Sequence, residues 1–272
     1  MVRFENVNFS YFHGFSLKNI NLQLSAGTYA LLGSNGAGKS TLIKCLVGNF
    51  EYRGKISIEG KGRIGYLPQS VGFFNDLTVQ EMLIYLYSVK GISKKVDMTE
   101  INRCIDSANL GNYRHKKIKS LSGGMLRRLG VAQAILGDPE VLVFDEPTAG
   151  LDPEERMRFK NLVYRQEKKD NKVIIISTHI VEDITGNCDR IIVLKDGTLL
   201  GVMTEDELKA AAKGKVYHIP ANECLASNLY IERDLVIDGE DYIRVLTSVP
   251  IDGYVPVTPS LEDGYLCLIN EI

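Results

Sequence analysis

No long apolar run occurs anywhere in this 272-residue sequence. Uninterrupted apolar stretches such as Val141–Phe144 and Val173–Ile176 are four residues long, whereas a helical bilayer span takes ~20. A membrane-crossing segment is therefore not expected. The opening residues Met1–Phe12 lack the basic-then-apolar layout of a secretory signal. Charge of one sign is not in excess either. The formal net charge is −2, which favours neither nucleic acid nor an anionic membrane surface, so no nucleic-acid partner is expected. Cysteines are few and scattered, at Cys45, Cys104, Cys188, Cys224 and Cys267. Their odd number and lack of metal-type spacing point to a reducing compartment. Internal repeats and low-complexity stretches are absent as well. What is present is ordinary globular composition, 44% apolar and 24% charged. The length suits one large α/β domain with an appendage, or two small domains.

Short β-branched runs alternate with longer helical patterns, which predicts an α/β fold. Strands are expected at Arg3–Asn8, Asn19–Leu24, Tyr29–Leu32, Lys55–Glu59, Arg63–Tyr66, Val141–Phe144, Val173–Ser177 and Ile191–Leu194. The early ones are separated by Gly-containing turns and predict an antiparallel edge sheet. The later ones are uniformly apolar, as in a sheet buried on both faces. Thr78-Val-Gln-Glu81 and Thr204-Glu-Asp-Glu207 match the capping box. Asp152-Pro153-Glu154-Glu155 places a capping carboxylate before proline at the first helical position. Residues 70–137 read as helical, a subdomain inserted into the sheet domain of residues 1–203. Residues 204–272 read as a small α/β or β-rich extension, with a helix over Thr204–Lys213 and a final helix capped at Ser260-Leu-Glu-Asp263.

Gly33, Ser34, Asn35, Gly36, Ala37, Gly38, Lys39, Ser40 and Thr41 fit the pattern G-x-x-x-x-G-K-[ST], between an apolar strand and a helical run. In that setting backbone amides can close around phosphate oxygens, aided by the helix N-terminus. Lys39 then supplies charge at the β- and γ-phosphates, and the Ser40 hydroxyl binds Mg²⁺. The alternative is a strand–helix turn that binds nothing; the motif itself indicates a nucleoside triphosphate without specifying the machine.

Val141–Phe144 ends in Asp145 and Glu146. Asp145 is expected to hold Mg²⁺ through water, and Glu146 to act as general base toward an attacking water. Ser177-Thr-His179 closes the next apolar strand, at the edge where parallel sheets bind ligands; a neutral imidazole there can reach the γ-phosphate or the water. The other histidines carry bland readings: His115 lies in a basic loop, and His13 and His218 have no evident companions.

Leu121-Ser122-Gly123-Gly124-Met125 resembles the LSGGQ signature of ABC ATPases. The accompanying motifs appear in that family's order: Tyr11, the phosphate loop, Gln69 after Tyr66-Leu-Pro, the signature, the acidic strand, Ala149-Gly-Leu-Asp152 and His179. The resemblance covers about residues 1–200. It implies an ATP-hydrolysing subunit of a transporter, working as a homodimer or heterodimer in which each ATP lies between one chain's loop and the other's signature. It further implies that Tyr11 stacks on adenine, with Phe12 as fallback and a core aromatic as the alternative. Gln69 is implied to contact Mg²⁺ and the attacking water, joining Ser40 and Asp145, and Asp152 to reach across the dimer, although its helix cap explains it equally.

Integral membrane permease subunits are the implied partners, met by helices near Thr78–Val89, and the implied location is cytoplasmic, on the inner face of the membrane. Met125 departs from the pattern, where the family has Gln. Its surroundings, Gly124-Met-Leu-Arg-Arg-Leu-Gly130, and the closing Pro259-Ser-Leu-Glu-Asp-Gly-Tyr265 resemble ABC-2 and antimicrobial-peptide exporters. Export is therefore expected, against the alternatives of an importer ATPase or a soluble ABC ATPase of the iron–sulfur assembly type.

Overall fold

The computed structural model describes residues 1–12, 14–167, 172–223 and 229–272. His13 and Cys224 lie outside the described residues. The chain divides into two compact units, Met1–Leu199 and Leu200–Ile272.

In the first unit, β1 (Val2–Ser10) and β2 (Ser16–Leu24) alternate buried and exposed side chains, the period of a strand with one covered face. With β4 (Arg53–Ile58) they form a three-stranded antiparallel sheet in the order β2-β1-β4. Bulges interrupt the β1–β2 register. The Asn6 amide donates to Asn21 Oδ1 at 2.9 Å and the Asn19 amide to Asn8 Oδ1 at 2.8 Å. Both Asn6 and Asn19 have positive φ, which asparagine tolerates.

The central strands are β3 (Gly27–Leu32), β5 (Ile64–Leu67), β6 (Val141–Asp145), β7 (Val173–Thr178) and β8 (Arg190–Lys195). They pair in parallel in the order β5-β6-β7-β3-β8. Every residue of β6 is buried, as expected for a strand covered on both faces. Helix α1 (Lys39–Leu46) follows β3, and α5 (Pro153–Glu167) follows β6.

Between β5 and β6 stand α2 (Val79–Val89), α3 (Met98–Ser107) and α4 (Gly123–Ala134). The expected Thr78–Glu81 capping box is present. Leu83, Ile101, Ile105 and Leu129 are fully buried in the cluster these helices share, each such side chain contributing about 1.5–3 kcal/mol. Helix α4 lies against β5 with a glycine on each side. A Cβ on Gly65 would meet Ala134 O at 2.0 Å, and one on Gly130 would meet Leu67 Cδ1 at 2.4 Å. Strand β9 (Thr198–Met203) spans the division between the units.

The second unit contains α6 (Glu205–Ala210), capped by the Thr204–Glu207 box, and an antiparallel sheet of β10 (Val216–Pro220), β11 (Tyr230–Ile237) and β12 (Glu240–Leu246), ordered β10-β12-β11. Helix α7 (Leu261–Asn270) begins at the Ser260–Asp263 box. His218 does have a companion: its Nε2 lies 2.6 Å from Arg244 Nη1. Arg244 is buried and also donates to both oxygens of Asp263, at 3.0 and 2.6 Å. Glu232 Oε2 sits 2.9 Å from Arg244 Nε. Sequence reading missed this cluster because its members are scattered over three strands and a helix. None of the helices among the described residues is long and apolar enough to cross a membrane.

Candidate functional site

The loop after β3 wraps around its own lysine. Gly38 caps α1 in the left-handed region, φ 107°, which glycine adopts without strain. Lys39, only 4% exposed, donates from Nζ to Gly33 O at 2.7 Å and Ser34 O at 3.1 Å. Burial lowers its pKa, and the neighbouring Glu146 opposes that shift.

At the end of β6, Asp145 Oδ1 accepts from Ser40 Oγ at 3.1 Å and from Ser177 Oγ at 2.6 Å. Ser177 Oγ in turn accepts from the Glu146 amide at 2.8 Å. Glu146 has φ 44°, an uncommon conformation for a residue with a side chain. Its Oε1 lies 3.5 Å from Lys39 Nζ and 3.3 Å from His179 Nδ1. Three neighbouring strands, β3, β6 and β7, thus deliver Lys39, Asp145, Glu146 and His179 to one edge of the sheet, the C-terminal edge where open α/β sheets bind ligands.

A cleft of about 680 Å³ opens there, lined by residues including Tyr11, Asn35, Gly36, Gln69, Glu146 and His179, a size that suits a small-molecule ligand. The Tyr11 hydroxyl is 3.5 Å from Thr41 Oγ1, and its ring stands edge-on to Phe9 and Phe50. Phe12 is 94% exposed and is not among the lining residues. Phe15, which sequence reading did not single out, lines the cleft beside Gly38. A second, smaller cavity of about 30 Å³ is lined by residues including Thr28, Phe159 and Cys188 and is no larger than a water molecule needs.

The signature residues are not brought to this cleft in the single chain. Leu121 follows a short 3₁₀ turn, and Ser122 caps α4, its Oγ accepting the Met125 amide at 3.3 Å. Gly123 faces open space, while Gly124 lies against Glu155. Met125 packs partly buried against the helical core, a place for an apolar side chain. Asp152 caps α5, with Oδ1 accepting the Glu155 amide at 2.8 Å.

Two linking residues went unassigned in the sequence. Ser177 bridges Asp145 and Glu146, and its only signal was its place beside His179. Arg127 donates to the carbonyls of Pro68, Gln69 and Glu146, contacts between distant segments that no local pattern encodes.

The donor set fits a nucleotide with Mg²⁺. A hydroxyl and a carboxylate oxygen already share one hydrogen bond at Ser40 and Asp145, and both are hard oxygen ligands of the kind Mg²⁺ takes. A cation at Lys39, in a loop of backbone amides, suits phosphate.

Residues 17–149 match the family model described as ABC transporter. The ABC transporter ATP-binding protein YxlF of Bacillus subtilis, itself uncharacterized, is 34% identical over 232 residues, 83% of this chain and 78% of that protein. The Nod factor export ATP-binding protein I of Burkholderia lata is 35% identical over 212 residues, 72% of this chain and 68% of that one. A probable metal transport system ATP-binding protein of Thermotoga maritima is 33% identical over 180 residues, 65% and 74% respectively. Among solved structures, CbiO1 of Clostridium perfringens, part of the ABC transporter complex CbiONQ, has a TM-score of 0.65 at 27% identity, covering 77% of this chain and 90% of that one.

Proposed function

This chain belongs to the ABC transporter family of ATP-binding proteins, and from that membership we propose that it powers export through separate integral membrane permease subunits. It is an ATPase that uses ATP with Mg²⁺. The observation that carries the assignment of roles is the meeting of Lys39, Asp145, Glu146 and His179 at one sheet edge. Lys39 and the loop amides hold the phosphates, and Ser40 and Asp145, with Gln69, hold Mg²⁺. When bound, Mg²⁺ neutralises charge on the phosphate oxygens. Glu146 takes the proton of the attacking water, and His179 fixes the Glu146 carboxylate through Nδ1. Tyr11 offers its ring to adenine.

The signature residues Leu121, Ser122, Gly123, Gly124 and Met125 act in trans, on ATP held by a second ATPase subunit, either an identical copy or a different one. Their absence from the lining of the chain's own cleft supports that reading, as does the helix N-terminus at Ser122. Asp152 reaches the facing subunit while capping its own helix. The chain then sits on the inner face of the membrane through its permease. Export is supported by the Met125 surroundings and by likeness to the Nod factor export protein. Likeness to a metal transport protein favours import as the second reading.

Substituting Glu146→Gln tests the assignment. Turnover should fall by about 10²–10⁴-fold while ATP affinity is retained, and ATP-loaded dimers should accumulate in light scattering. Normal hydrolysis by this variant removes Glu146 from the role of base. ATP-driven uptake into inside-out vesicles carrying the permease would establish export, and efflux from them import.

A further inference from the structure

We propose that Arg127 is a positioning residue for the hydrolytic step, holding Glu146 and Gln69 in one frame with the signature helix α4. Its guanidinium forks between two loops. Nη1 donates to Gln69 O at 2.7 Å and Pro68 O at 3.2 Å, and Nη2 donates to Glu146 O at 3.0 Å. A planar fork with fixed donor directions can span carbonyls on separate segments, which a lysine ammonium on a flexible stem does not reproduce. The nearby Asp145 carboxylate acts on Arg127 through charge, but these three hydrogen bonds all go to backbone carbonyls, and the Arg127→Lys variant below keeps that charge while losing the fork.

That geometry needs holding. Glu146 sits at φ 44°, a conformation that persists in a residue with a Cβ only when its surroundings enforce it. The enforcement comes from both sides of the residue. Ser177 Oγ receives the amide at 2.8 Å, and Arg127 supplies the carbonyl's shorter hydrogen bond, the Ala149 amide lying farther off at 3.3 Å. Releasing the carbonyl lets the peptide relax, which carries the Glu146 carboxylate away from His179 Nδ1 and Lys39 Nζ. The same release frees the Gln69 loop. Arg127 lies two residues beyond Met125 on α4, so the element that presents the signature to a facing ATP also holds the chain's own base.

This inference rests on Glu146 being the base, and the experiment separates the two claims. The full chain and its Arg127→Met, Arg127→Lys and Glu146→Gln variants are compared in steady-state ATP hydrolysis and in hydrogen exchange. Arg127→Met should lose about 10–100-fold in kcat, with KM for ATP within about threefold of wild type. Amide exchange should rise across residues 67–71 and 144–149 and stay unchanged in α7. Arg127→Lys should recover less than a third of the lost turnover. If Glu146→Gln is inactive yet Arg127→Met turns over within about twofold of wild type, the positioning role is wrong. Unchanged exchange in both segments, or a loss carried by KM, overturns it equally. Normal turnover by Glu146→Gln defeats the assignment of the base instead.

Discussion

A methyl group on Gly124 would lie 2.6 Å from the carboxyl carbon of Glu155. The Glu155 side chain therefore fills the space that a side chain at position 124 would take. Glu155 is held in place by Arg158 at 2.6 Å and lies 3.5 Å from Arg128 Nε. Gly123, one position earlier, meets nothing within 4 Å. Gly124→Ala is expected to destabilise the chain by about 1–3 kcal/mol, the usual penalty of overpacking. Gly123→Ala should leave stability unchanged within about 0.5 kcal/mol. The double variant Gly124→Ala, Glu155→Ala should regain part of the loss. Thermal melts of the four proteins decide the matter, and equal melting of the two single alanine variants would refute the close-approach argument.

Lys39 offers a second test, on binding rather than stability. Its ammonium supplies charged hydrogen bonds inside the loop, and such bonds contribute about 1.5–3 kcal/mol each. Lys39→Ala should weaken ATP binding by at least about tenfold, read by nucleotide titration, while Glu146→Gln should not. Equal affinities in the two variants would mean that Lys39 does not face the phosphates.

The buried cluster of the C-terminal unit predicts a pH dependence. Burial first, then the adjoining Asp263, pushes the Glu232 carboxyl from an ordinary 4.5 up to about 7. Arg244 is shared with Asp263, whose carboxyl stays below its ordinary 3.8, burial being outweighed by hydrogen bonds from Arg244 and Ser260. The folded unit binds the Glu232 proton more tightly than the unfolded chain does. This group's stabilisation is therefore complete below about pH 4.5 and is lost as pH rises through 7. His218, lowered from 6.5 by burial and by Arg244, works in the opposite sense, but its contribution is already complete above 6.5. Asp263 changes only in acid. Arg233 and Glu262 also lie near the cluster. Calorimetry from pH 6.5 to about 8 should show the C-terminal unit losing stability, and Glu232→Gln should flatten the slope. A wild-type profile as flat as the variant's would contradict this account.

Much of the candidate site was legible in sequence because the chemistry proposed for it demands local patterns. A phosphate loop needs its glycines and lysine in register, and an acidic strand end needs an apolar run before it. All eight expected strands are present with shifted ends, and the Thr78, Thr204 and Ser260 boxes formed as read. What escaped depends on long-range contacts. Arg127 looked like one of two arginines in a helix, and its three carbonyl partners lie on segments far away in sequence. His218 looked solitary because Arg244 faces it from the paired strand β12, 26 residues away in sequence. Strands β9 and β10 were missed because Gly201, His218 and Pro220 interrupt their apolar residues.

The paired glycines between α4 and β5 also have a mechanical consequence. With Gly65 under Ala134 and Gly130 under Leu67, backbone and side chain meet without an intervening soft layer. Compliance between helix and strand is accordingly small at this contact. A displacement of α4 toward β5 thus has little slack to take up before it meets Leu67, two residues from Gln69.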